Sequence, residues 1–147
     1  PYLYGFSQYV VPRPRDWPDW HVATGYWFLD SPKEWSPPPG LVDFLSQNPK
    51  PIYIGFGSMS GRIARRLAAL VIEAVKLSNQ RVVLLGGWAS INEGNLPDHI
   101  YAIESAPHDW LFPYMAAVVH HGGAGTTAAG LRAGVPSVVV PFFADQP

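Results

Sequence analysis

The sequence contains no cysteine, which excludes disulfides and thiolate metal sites and fits a reducing compartment. Charge is scarce too: 14% of the 147 residues are Asp, Glu, Lys or Arg, and the net charge is −1. A chain so close to neutral gives no electrostatic reason to expect nucleic acid or an anionic membrane surface as partner. No Asn-x-Ser/Thr acceptor occurs, and no apolar run approaches the roughly 20 residues of a membrane span. Disorder is excluded from the other side, because apolar residues make up 48% of the chain and the length allows one domain with a real core. The first residue is Pro1, not Met, which suggests a piece of something longer, whose upstream signal peptide would leave no trace.

What is present changes character near Gly40. Residues 1–40 hold four of the six tryptophans, Trp17, Trp20, Trp27 and Trp35, and many prolines, with no helical periodicity. His21 to Phe28 reads as an extended segment, and Pro37-Pro38-Pro39 as a stiff spacer. This stretch is expected to be an irregular arm packing its aromatics on a neighbouring surface, or a linker between domains, readings that are compatible.

Residues 41–147 are expected to form a domain of alternating strands and helices. Leu41 to Leu45 is a short helix, Pro51 to Phe56 a strand, and Arg62 to Leu77 a helix. Ile63, Leu67, Leu70, Val71, Ala74 and Val75 make its apolar face. Arg81 to Leu85 and Ile100 to Ile103 are further strands, and Asp109 to Met115 gives a helical turn or two. Ala116 to Val119 is an apolar run suited to a strand covered on both faces, and Val138 to Val140 to the next. This alternation predicts an α/β domain: a Rossmann-like parallel sheet with helices on both faces.

The chain is organised around His120-His121-Gly122-Gly123-Ala124-Gly125-Thr126-Thr127, which runs on to Pro141-Phe142-Phe143-Ala144-Asp145-Gln146. The glycines permit a tight turn and close approach of a ligand. Thr126 and Thr127 are expected to cap a helix that stops at Gly134, with Pro136 beyond. Unpaired N–H groups at that helix start suit an anion. Gly57-Ser58, after the first strand of the domain, is a second such seat. A dinucleotide site would want Gly-x-Gly-x-x-Gly here, but Ser60 replaces the third glycine and no acid ends the strand before Gly86-Gly87, so NAD is not expected. Neighbouring strand residues face opposite ways, so His120 and His121 cannot both ligate one metal. His120 suits a satisfied core histidine, acting through stability, and His121 a donor to a phosphate or carboxylate oxygen.

Three segments, His121 to Thr127, Gly134-Val135-Pro136 and Pro141 to Gln146, together resemble the donor-binding signature of UDP-sugar-dependent glycosyltransferases of the two-domain GT-B type. Gly25 to Asp30 and Ile54 to Met59 narrow the resemblance to sterol glucosyltransferases and their bacterial relatives. It implies the C-terminal half of a GT-B fold, truncated at both ends and incomplete at its C-terminus. Gly57, Ser58, His121, Gly123, Ala124, Gly125, Thr126 and Thr127 would hold the diphosphate. Ala106, Pro107 and His108 would meet the uracil ring, and Asp145 and Gln146 the sugar hydroxyls. Plant relatives have Trp-x-Pro-Gln where this chain has Ser105 to His108, and a ribose-binding Glu where it has Ala129, so those two contacts stay unassigned.

The resemblance further implies transfer of glucose from UDP-glucose to a sterol or similar lipophilic hydroxyl, with inversion, no cofactor and no metal. The acceptor and the catalytic base would belong to an N-terminal domain. A cytoplasmic setting is expected, with peripheral membrane contact by the longer protein. Alternatives are a separately encoded donor-binding subunit and a non-enzymatic nucleotide-binding module.

Overall fold

The computed structural model describes residues 1–31, 34–57, 61–86, 96–142 and 146, with only the backbone of 61–65. Its internal contacts separate two units, Pro1–Asp30 and Ser31–Pro147. The first is a two-stranded parallel ribbon of β1 (Tyr2–Tyr4) and β2 (His21–Ala23), in register from Tyr2↔His21 to Tyr4↔Ala23. Aromatic contacts hold it: the Tyr4 ring stacks on Trp17 at 4.4 Å, and its hydroxyl lies 2.7 Å from Nδ1 of His21. The extended segment expected from His21 thus contains a strand, because Tyr2–Tyr4 supplies its partner.

The second unit runs α1 (Pro39–Leu45), β3 (Ile52–Gly55), α2 (Gly61–Ser78), β4 (Val82–Leu85), β5 (Ile100–Ile103), α3 (His108–Leu111), β6 (Ala117–His120), α4 (Ala124–Ala133) and β7 (Ser137–Val139). A 3₁₀ turn, Phe112–Tyr114, follows α3. The five strands β3 to β7 form one parallel sheet in the order β5-β4-β3-β6-β7. Val82, Val83 and Leu84 are buried in succession, as both faces of a parallel strand are when helices cover each side. On one face Ile54, Phe56, Val82, Leu84 and Ile100 pack with Ala68 and Val75 of α2. On the other, Tyr53, Val83, Ile103 and Val118 pack with Leu41 and Phe44 of α1, Leu111 of α3, Phe112 and Met115. Burial of Leu111 and Phe112, both fully enclosed, stabilises by about 1.5–3 kcal/mol each relative to exposure.

Two expectations need correction. The triple proline is not all spacer: Pro38 precedes the helix in extended conformation, and Pro39 is its first residue. A proline there loses no hydrogen bond and has the right φ. The inner face of α2 centres on Leu67, Ala68, Val71 and Val75, while Leu70 is 55% exposed and Ala74 faces solvent. With successive residues about 100° apart around a helix, Leu70 and Ala74 fall on the flank of that stripe. Ile63 lies among the side chains outside the described set. Arg81, just before β4, caps the end of α1: its guanidinium donates to the carbonyls of Gln47, Pro49 and Phe44 and lies 4.1 Å over the Phe44 ring.

Candidate functional site

The chain enters the sheet at β3, winds outward to β5 and then returns to β6 on the other side of β3. Where strand order reverses, the two connecting loops leave in opposite directions and open a crevice at the C-terminal ends of the strands. Here that crevice lies between β3 and β6, whose last paired residues are Gly55 and His120. Phe56-Gly57 leads from one towards α2, and His121-Gly122-Gly123 from the other into α4.

Helix α4 starts earlier than the threonines suggested. Gly123, extended at φ −56° and ψ 139°, is the residue before the helix, and no side chain caps it. Thr126 and Thr127 therefore sit inside the first turn, and the Thr127 hydroxyl donates backwards to the carbonyls of Gly122 at 3.3 Å and Gly123 at 3.0 Å. The N–H groups of Ala124, Gly125 and Thr126 precede the first intrahelical bond, which Thr127 N–H makes to Gly123. They carry the partial positive charge of the helix end. Apart from its chain neighbours and the helix backbone, no described atom lies within 4 Å of where a Cβ on Gly125 would stand.

His121 is half-buried between the two glycine turns. A Cβ on Gly57, which has φ +67°, would stand 3.1 Å from its Cε1, and one on Gly123 would stand 2.4 Å from its Nε2. Nδ1 of His121 is buried and has no partner among the described residues. Gln146 reaches the same place: its backbone packs against Gly122, and its side-chain oxygen accepts the Phe142 N–H at 2.9 Å. Gln146, beyond β7 in the chain, thus lies against the glycine turn. Ser58 and Asp145 lie outside the described residues.

Beneath the seat is a group that sequence reading missed. His120 is fully buried, on the sheet face that carries Tyr53 and Val118. Its Nδ1 accepts the Gly122 N–H at 3.1 Å, while Nε2 has no partner among the described residues. The core histidine expected there is present, but it is only half satisfied. His108, first residue of α3, lies 3.4 Å from the Tyr53 hydroxyl through Nε2 and stacks on Phe112 at 4.5 Å. Burial pushes both histidines below the ordinary value; for His120 the charges of His121 and His108 add to it. Burial pushes the Tyr53 phenol up. Pro107 precedes α3 in extended conformation, and Ala106 packs on the core. Of the expected base-loop residues, His108 is thus turned into the protein. Only the pairing of β3 with β6 and the return of α3 reveal this grouping; no local signal marks it.

Among the described residues no three His, Cys, Asp or Glu groups gather as metal ligands, and no helix is long and apolar enough to cross a membrane.

The fold and the crevice define an α/β domain of the doubly wound, Rossmann-like type. Residues 68–147 match the erythromycin biosynthesis protein CIII-like C-terminal domain, and the chain belongs to that family of GT-B glycosyltransferase domains. It is 48% identical over 99% of its length to a sterol 3-beta-glucosyltransferase of Leptosphaeria maculans, and 44% identical over 100% to the sterol 3-beta-glucosyltransferase UGT80A2 of Arabidopsis thaliana. It spans 11% and 23% of those two proteins. The glycotransferase of kitacinnamycin shares the fold at a TM-score of 0.70, with 20% identity, over 99% of this chain and 37% of that one. UGT89C1 of Arabidopsis thaliana, solved in complex with UDP-L-rhamnose, superposes at 0.53 with 26% identity, over 66% of this chain and 24% of its own.

Proposed function

We propose that this chain is the donor-binding part of an inverting glycosyltransferase that moves glucose from UDP-glucose to a sterol or similar lipophilic hydroxyl. One observation carries the reading: the His121 ring, with a buried nitrogen that has no partner among the described residues, lies between Gly57 and Gly123 beside the uncapped start of α4. In the transfer the acceptor oxygen bonds to the anomeric carbon as the bond from that carbon to the diphosphate breaks. The electron pair leaves on the diphosphate oxygen. Donors already aimed at that oxygen lower the barrier, because they bind the developing charge more tightly than the intact donor. On this reading His121 and the N–H groups of Ala124, Gly125 and Thr126 bind that oxygen, with Gly57 and Ser58 beside them and no metal, while Thr127, whose N–H and hydroxyl both donate to the glycine turn, braces it.

Ala106 and Pro107 would border the uracil, with His108 held inward against Tyr53 and Phe112 behind them, and Asp145 and Gln146 would border the sugar. The names of the sterol glucosyltransferase relatives, and the UDP-L-rhamnose bound by UGT89C1, support the choice of donor and acceptor class. A sterol resides in a membrane, so the longer protein would work at a membrane surface. The base that deprotonates the acceptor would come from an acceptor-binding domain. Loss of that positioning forfeits a rate factor on the order of 10⁵ or more. The test is to incubate the purified chain with UDP-glucose and a sterol, alone and with the acceptor domain of a relative. Turnover is expected only with both present; equal turnover by the chain alone would place the base within these residues.

A further inference from the structure

We propose that His120 is a positioning residue for the diphosphate seat: in its neutral form it holds the Gly122 turn through Nδ1, and protonation releases that turn. This deepens the donor-site reading and rests on it. The sequence places His120 at the last position of β6, in register with Gly55, which has no side chain to oppose it. The ring therefore goes inward beside Tyr53, fully enclosed.

A buried ring nitrogen needs a partner or its desolvation goes uncompensated. Nδ1 finds one two residues on, in the Gly122 N–H at 3.1 Å. An accepting nitrogen carries no proton, so the neutral ring bears its hydrogen on Nε2. Gly122 has φ +95°, a conformation open to glycine and strained for other residues. Its N–H points back at His120, and the three N–H groups that open α4, from Ala124 to Thr126, are left for a ligand. One hydrogen bond thus fixes the turn on which their direction depends.

Protonation would set two donors against each other at Nδ1 and Gly122. The titratable groups acting on the ring are His121 beside it and His108 from α3, which itself meets the Tyr53 hydroxyl of β3; α4 brings only Arg132, at its far end, and β7 brings none. Among the described residues no carboxylate joins these to favour the charged ring. Its titration therefore lies below the ordinary histidine value of 6.5.

The test is calorimetry of UDP-glucose, whose diphosphate does not titrate in this range, against pH in three proteins. Wild type should lose affinity roughly three- to tenfold as the ring protonates, the measure of one hydrogen bond. His120→Asn, whose Oδ1 can replace Nδ1 and does not titrate, should bind within about threefold of wild type at neutral pH and lack the acid limb. His120→Phe should bind roughly three- to tenfold more weakly at neutral pH. An acid limb unchanged in His120→Asn, or equal affinity in the Asn and Phe variants, would overturn the proposal.

Imidazole and amide NMR of the ligand-free chain supplies a readout independent of the donor. Unprotonated Nδ1, with a Gly122 amide shift that follows the titration of His120, is expected; a proton on Nδ1 at neutral pH overturns the assignment. Wild type that binds no UDP-glucose at any pH would strike the donor-site reading alone, and the NMR result would still decide the role of His120.

Discussion

A carbon added to Gly123 would lie 2.4 Å from Nε2 of His121, closer than any unbonded carbon and nitrogen approach. The glycine and the ring therefore occupy one space: the sequence can have a side chain at 123 or this histidine in place, but not both. Gly123→Ala should displace the ring and weaken UDP binding roughly tenfold, the scale of a lost charge-assisted contact. In a His121→Ala background the same substitution should cost much less, since the two act through one interaction. Additive losses in a double-mutant cycle would show that Gly123 matters for another reason.

Stability should depend on pH through the two inward-facing histidines. His108 and His120 are harder to protonate in the folded chain than in the unfolded one, chiefly because of burial. Below the ordinary histidine value of 6.5 the unfolded chain then binds more protons, so stability falls as pH falls. Their contribution is complete above that value and is lost progressively on acidification towards the folded values. Thermal melts at a series of pH values should show this decline, and His108→Gln should flatten it. A melting temperature that rises on acidification through this range would contradict the burial argument.

The strands and helices of the second unit were largely legible, because a buried parallel strand leaves an unbroken apolar run, as in Val82-Val83-Leu84, and Gly134, left-handed at φ +67°, marks a helix end. The seat was legible to the extent that glycine turns and histidine are local signals. The start of α4 was not. Threonine is a common cap, but Gly123 could take the extended conformation before it, and the helix began there. The contacts of Tyr53 with His108 and of His120 with the turn were hidden for a different reason. The first joins residues 55 positions apart; the second spans only two but needs the His120 ring turned inward, which depends on register that a single strand does not encode. Leu70 misled because apolar spacing alone does not place the centre of a helix face.

Chelation should leave donor binding intact. The seat consists of N–H groups and a histidine, and no cluster of metal-ligand type occurs among the described residues, whereas a diphosphate-bound Mg²⁺ is held through one or two protein carboxylates. Affinity for UDP-glucose measured with EDTA should match that with Mg²⁺ within about twofold, well inside the roughly 1.4 kcal/mol that a tenfold change represents. Binding lost with EDTA and restored by Mg²⁺ or Mn²⁺ would mean that acidic ligands complete the site.

The most direct measurement is a calorimetric titration of the chain with UDP-glucose, paired with the same titration of His121→Ala. Wild type should bind one equivalent, displaced by UDP. Loss of a charge-assisted contact worth about 1.5–3 kcal/mol should weaken His121→Ala roughly tenfold or more, with little change in melting temperature. Absence of binding by wild type, or equal affinity in the two proteins, would contradict the assignment of the β3–β6 crevice as the donor site.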